Sequence, residues 1–200
     1  MFLQNLRSET ATSHLALEQN PFSAALMSEQ VTLENYSEYL QKLYGFVSSF
    51  EENVFPVLKD VDADLDSRKK SELMQSDLKT LRVDISRIPI VPKEYFKVHF
   101  SDVTNSIAGL YVLEGSMLGG VMIKKHLAEK LGHEVDDCTK YLTGYGAETG
   151  KVWKNFLTML SNQAHDIHQE QAIIKSAKNT FDLLNQWIST SSLNKNNDDC

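Results

Sequence analysis

Two places in the chain carry residues whose types and spacing suit chemistry. The first is His14, with Arg7 seven residues before it. On an α-helix seven residues rise ~10.5 Å and complete nearly two turns, so both side chains leave the same side. An imidazole nitrogen can ligate a metal at the centre of a flat group while a guanidinium meets an anion at its rim. Haem has that layout, with iron at its centre and propionates at its edge. Each residue also has a plainer reading: His14 as a core histidine bonded to a backbone carbonyl, Arg7 as a solvated surface charge.

The second place is the segment IAGLYVLEGSMLGGVMIKKHL, residues 107–127, where Gly115, Gly119 and Gly120 interrupt a strong helical pattern. A glycine in a helix interior costs about 1 kcal/mol relative to alanine, so three cost on the order of 3 kcal/mol. Gly115 and Gly119 are one turn apart and leave bare backbone on one face. Close helix–helix packing is one use for such a face. A flat ligand lying against the backbone is the other, and the adjacent Gly119-Gly120 pair favours a bend or kink there.

These residues resemble the haem oxygenase family, particularly its bacterial type. LRSETATSHLALE (6–18) is similar to the proximal helix of that family, with His14 in the iron-ligand position and Arg7 where a basic residue meets a propionate. YVLEGSMLGG (111–120) is similar to its distal helix, and YGAETGKVWKNFL (145–157) to its late basic helix. Ser116 stands where many members carry an aspartate that organises distal water.

The resemblance implies an all-α, single-domain bundle that holds haem between a proximal and a glycine-kinked distal helix. It implies an oxidoreductase for which haem is both cofactor and substrate, cleaved with O2 and reducing equivalents to biliverdin, CO and iron. The protein's part is ligation, orientation and proton supply. His14 would be the metal ligand; Gly115 and Gly119 would crowd the oxygen side, and Ser116 would hold a water for proton delivery, with Glu114 as a second candidate unless it faces solvent. Arg7 is the first choice for a propionate, followed by Lys151 and Lys154, with Tyr111 adding a hydroxyl and Gly120 completing the haem-binding backbone. The lysines also read as solvated charges. An electron donor such as a ferredoxin or flavoprotein reductase needs a docking face. Lys124, Lys125 and Lys130 are the basic cluster for it, or else they balance helix dipoles. A non-catalytic haem-binding or trafficking protein on the same scaffold is the alternative.

The elements that must position these groups read as helical throughout. Leu3, Leu6, Thr10, His14 and Leu17 mark one buried stripe that ends at Pro21. Thr32 is placed to cap a long helix whose stripe runs from Leu33 to Leu58. Ser67–Leu81 reads as a charged surface helix, and Pro89 and Pro92 confine IPIV to a loop. Residues from about Glu94 to Leu131 read as one glycine-interrupted helix with Gly132 as C-cap, followed by helices near 146–164 and 169–190. The domain is expected over 1–190, with 191–200 a frayed tail.

Composition narrows the classes further. Of 200 residues 42% are hydrophobic and 24% charged, a globular balance, and the formal charge of −7 supplies no general surface for nucleic acid or anionic lipid. No apolar run approaches the ~20 residues of a membrane span, and the start lacks the pattern of a signal peptide, so no membrane partner and a cytoplasmic setting are expected. Cys138 and Cys200 form no disulfide framework. No histidine follows a glutamate at the three-residue spacing a di-iron bundle wants. Cys138, among acidic neighbours, is a poor nucleophile for a thiaminase-like enzyme. His99, His126 and His133 read as structural or exposed, and His165 and His168 lack further metal ligands.

Overall fold

The computed structural model describes residues 1–62 and 64–190, so the expected tail lies outside the described residues. Local signals account for where its helices begin. Helix α1 (Phe2–Glu18) is followed by α2 (Pro21–Ala25), whose first turn accepts a proline because its N–H would be unpaired anyway. Asn20 caps α2 through Phe22 N–H (3.1 Å), and its amide donates to Asn185 Oδ1 and Ser189 Oγ, both at 2.7 Å. Helix α3 (Leu33–Leu58) starts at the Thr32 cap, in a reciprocal box with Asn35.

A short 3₁₀ turn (Leu65–Arg68) precedes α4 (Ser71–Thr80), so the stretch read as one surface helix is broken at Lys69-Lys70. The second long stretch also divides. Helix α5 (Lys93–His99) ends at Phe100, and Asp102 caps α6 (Val103–Leu131) through Asn105 N–H at 2.8 Å. The break therefore comes at a cap, and α6 runs without interruption through all its glycines. It ends at Gly132, whose φ of 61° favours glycine. Helices α7 (Lys140–Thr143), α8 (Thr149–Asn162) and α9 (Ile167–Ser189) follow.

Helix α9 packs on both α1 and α6, which makes it the floor of the bundle. Helices α7 and α8 cover other faces of α6, and α3 packs between α4 and α6. The core centres on Phe46, Phe50, Phe96 and Phe100, whose ring centroids lie 5.2–6.3 Å apart. Gly109 of α6 fits against this cluster: a Cβ there would come 2.6 Å from Phe100 and 2.7 Å from Phe50. Gly45 of α3 meets Pro89 the same way, with a would-be Cβ 2.2 Å from its carbonyl oxygen. That contact binds the proline loop to the bundle, as do the 3.0 Å bond from Val91 N–H to Gly45 O and the 2.7 Å bond from Ser49 Oγ to Val91 O.

Contrary to the sequence expectation, one stretch, Val103–Val135, is apolar and long enough to cross a membrane by length and composition. More than half of its apolar window is buried inside the bundle and it carries the buried Glu114, which is the pattern of a core helix.

Candidate functional site

Helix α1 buries Phe2, Leu6 and Thr10 and leaves His14 on an exposed flank, its side chain 55% accessible. This corrects the expectation of a buried histidine stripe. From Thr10 to His14 is four residues, ~40° past a full turn, and the ring falls at the edge of the contact with α9. There it stands edge-on to Phe181, centroids 5.4 Å apart. Glu18, one turn on, lies with Oε2 3.7 Å from His14 Nδ1.

Arg7 is exposed on the same helix. It lies within electrostatic reach of Tyr111 on α6, whose hydroxyl is close to Thr10. Burial raises the Tyr111 phenol above its ordinary value, and Thr10 and Arg7 partly offset it. The Tyr111 ring rests on Trp153 of α8, centroids 5.5 Å apart, and the same indole lies 3.4 Å from where a Gly115 Cβ would be. The structure thus brings Arg7, Tyr111 and Gly115 into one neighbourhood through Thr10, read from the sequence only as part of the buried stripe, and Trp153, which the sequence did not single out.

The three motif glycines differ in use. Gly115 faces Trp153, and Gly120 faces the backbone of Leu142 on α7, with a would-be Cβ 3.3 Å from its carbonyl oxygen. A Cβ at Gly119 would meet nothing within 4 Å. Around Gly119 the helix leaves Leu118, Val121 and Met122 exposed, an apolar stretch on an otherwise acidic protein. Adjacent exposed apolar residues of this kind mark a contact surface more often than scattered ones do.

Ser116 points inward. Its hydroxyl donates to Leu113 O at 2.7 Å and lies 3.4 Å from the buried Tyr141 hydroxyl. Glu114 does not face solvent: it is 3% exposed and is the hub of a buried ionic group. Arg68 Nη1 donates to its Oε2 at 3.1 Å, Tyr145 OH donates to its Oε1 at 2.8 Å, and Lys70 Nζ lies 3.5 Å from Oε1. Asp62 accepts from Arg68 Nε at 2.5 Å. Burial opposes the Arg68 charge, but Asp62 and Glu114 outweigh it and hold the guanidinium charged. Burial pulls the Lys70 ammonium below its ordinary value. Sequence reasoning missed Arg68 and Lys70 because their partner lies over forty positions away.

A family model described as heme oxygenase matches residues 1–190. The chain belongs to the haem oxygenase family. Its fold is that of solved haem oxygenases. The one from Leptospira interrogans superposes with a TM-score of 0.76 at 20% identity, over 94% of this chain and 97% of that one. The NO- and CO-bound enzyme from Neisseria meningitidis gives 0.72 at 23% identity, covering 94% and 90%. Haem oxygenase-1 of the cyanobacterium Synechocystis, solved in complex with haem, gives 0.74 at 15% identity, again covering 94% and 90%. No curated protein compared with the chain matches it.

In this haem oxygenase-family chain the remaining candidates lie at the surface. Lys151 is exposed and pairs with Glu148 at 3.0 Å, and Lys154 is exposed on α8. Of the basic cluster, Lys124 donates to Thr143 Oγ1 at 2.5 Å, Lys125 lies 3.9 Å from Glu129, and Lys130 bonds Glu29 at 2.5 Å. Cys138 is buried. Burial first, then Asp77 and Asp137, push its thiol up to about 11, which removes it as a nucleophile. Among the described residues no group of three or more His, Cys, Asp or Glu side chains is placed to hold a metal ion.

Proposed function

We propose that this protein binds haem through His14 and cleaves it, using O2 and reducing equivalents, to biliverdin, CO and iron. The observation that carries the proposal is that two separate features suited to haem are both left exposed. His14 presents an accessible imidazole with Glu18 Oε2 3.7 Å from its Nδ1, and α6 presents a bare-backbone turn at Gly119 amid exposed apolar side chains. An imidazole donor and an apolar surface that includes bare backbone are what a planar iron macrocycle requires. When bound, haem supplies the iron that activates O2 and the ring that is opened.

The chain's own residues do the rest. Arg7, beside Tyr111, is placed to pair with a propionate, and Lys151 and Lys154 on α8 are further cations for that edge. Gly119 lets the α6 backbone approach closely, and Gly115, packed against Trp153, helps limit the space in which O2 reacts. Ser116, one residue from Gly115, passes protons from the interior to that face. Electrons come from a ferredoxin or a flavoprotein reductase, for which Lys124, Lys125 and Lys130 offer a basic face. The contacts they now make, a hydrogen bond from Lys124 to Thr143 and ion pairs of Lys125 with Glu129 and Lys130 with Glu29, are cheap to exchange. The protein acts in the cytoplasm.

The test is to load the protein with haem, add a reductant under air, and follow the Soret band and the bilin absorbance. The proposal predicts Soret loss with stoichiometric biliverdin and CO. A stable reduced haem spectrum with no bilin would show a binding protein instead.

A further inference from the structure

Helix α7 is a single turn of four residues, too short to hold itself, so its place is set by what it touches. Asp77 of α4 pins its start. That carboxylate is fully buried; its Oδ1 accepts Lys140 N–H at 2.9 Å and its Oδ2 accepts Tyr141 N–H at 2.8 Å. A carboxylate is costly to bury unless its oxygens are bonded, and here α4 commits one to a turn that buries only Tyr141 and Leu142. Haem ligation, oxygen handling and proton supply make no use of Asp77.

What α7 touches is the back of α6. A Cβ on Gly144, at the C-terminal end of α7, would lie 3.1 Å from Met117 Sδ, and one on Gly120 would lie 3.3 Å from Leu142 O. Lys124 Nζ donates to Thr143 Oγ1 at 2.5 Å. Met117, Gly120 and Lys124 recur at three and four residues, which is one stripe of a helix turning 100° per residue. Leu118, Gly119 and Met122 centre on the opposite side and are exposed. Helix α7 therefore stands directly behind the bare-backbone face proposed to meet haem.

That face needs support from behind. Adjacent Gly119 and Gly120 weaken the helix locally, and bare backbone has no side chain that could adjust its reach. Its distance from a ligand is then set by where the whole turn lies. Resting on the haem-binding role proposed above for that face, we infer that Asp77 is a positioning residue: acting through α7, it fixes from behind the turn of α6 that lies against haem.

The experiment compares wild type with three variants. Asp77→Ala leaves both N–H groups of α7 without their acceptor, and Asp77→Asn keeps one carbonyl oxygen in nearly the same shape. Lys140→Ala keeps its backbone donor and loses only the side-chain bond to Ser76 Oγ at 2.9 Å. In the haem-free proteins amide hydrogen exchange is read by mass spectrometry over 103–114 and 117–124, two stretches of the same helix. Asp77→Ala should speed exchange over 117–124 about tenfold or more, as expected when buried N–H groups lose their acceptor, and leave 103–114 unchanged. Asp77→Asn should restore part of the protection, and Lys140→Ala should match wild type.

Equal acceleration over both stretches would mean an ordinary loss of stability and overturn the positioning role, as would unchanged exchange over 117–124. Should Asp77→Ala not fold, Asp77→Asn is held to the same criteria. Haem titrated into the same proteins, followed by Soret absorption, should bind about tenfold more weakly to Asp77→Ala than to wild type, with Asp77→Asn between them. Wild-type haem affinity in a variant whose 117–124 stretch has loosened would overturn the inference. If wild type itself binds no haem, the functional reading fails instead, and the exchange comparison alone decides whether Asp77 holds this turn in place.

Discussion

Gly109 and Gly119 lie on one uninterrupted helix, ~15 Å apart along its axis, and they are opposites. Around Gly109 the space is full: Phe50 and Phe100 stand where its side chain would be. Around Gly119 there is nothing, and the neighbouring Leu118, Val121 and Met122 are exposed. The first glycine is required by the fold, which closes its aromatic core over bare backbone. The second meets nothing among the described residues and carries the full helix penalty, a cost that the haem contact proposed above would offset. Glu114, between them, holds the helix in place from the interior through Arg68, Tyr145 and Lys70.

Three experiments break or sharpen this contrast. The largest effect is expected from Arg68→Leu, which leaves Glu114 and Asp62 without their shared cation. Removing one partner of a buried pair costs about 3–5 kcal/mol, read as a lower urea midpoint. A loss under about 1 kcal/mol would mean that this ionic group does not anchor α6. Next is Gly119→Leu, expected to leave haem-free stability unchanged or slightly raised while weakening haem binding on the order of 100-fold, or about 2.7 kcal/mol. A loss of haem-free stability would show that Gly119 is a packing glycine like Gly109. The smallest is Gly109→Ala. Overpacking costs about 1–3 kcal/mol and the helix gain returns up to about 1 kcal/mol. A net loss of about 1 kcal/mol is therefore expected in thermal or urea unfolding, with haem affinity unchanged. A stabilised variant would contradict the contrast directly.

How far these features were legible in the sequence depends on how local their causes are. The Thr32 cap and the Gly132 helix end depend on residues within one turn, and both stand where the pattern places them. The glycine motif was visible as an anomaly, but its members could not be ranked, because what faces each one belongs to α7, α8 or nothing. Gly45 and Gly109, the tightest glycines, drew no notice. Their neighbours Pro89 and Phe50 are over forty positions distant, and one isolated glycine in a helix carries no pattern. Glu114 looked like a surface charge for the same reason. His14 followed the apolar spacing closely enough to be assigned to the core, and only the placement of α9 shows it on the flank. Helical periodicity resolves a face to within a residue or so, which separates core from surface but not core from rim.

That rim position makes the central claim open to direct test. Haem titrated into wild type and into His14→Ala, followed by Soret absorption and the ferric spin-state bands, asks whether this imidazole is the iron's ligand. The account predicts a saturable imidazole-ligated ferric spectrum in wild type. It predicts loss of that spectrum in His14→Ala, with the unfolding midpoint of the haem-free variant preserved because the side chain lies at the surface. An unchanged ferric spectrum in His14→Ala would contradict it.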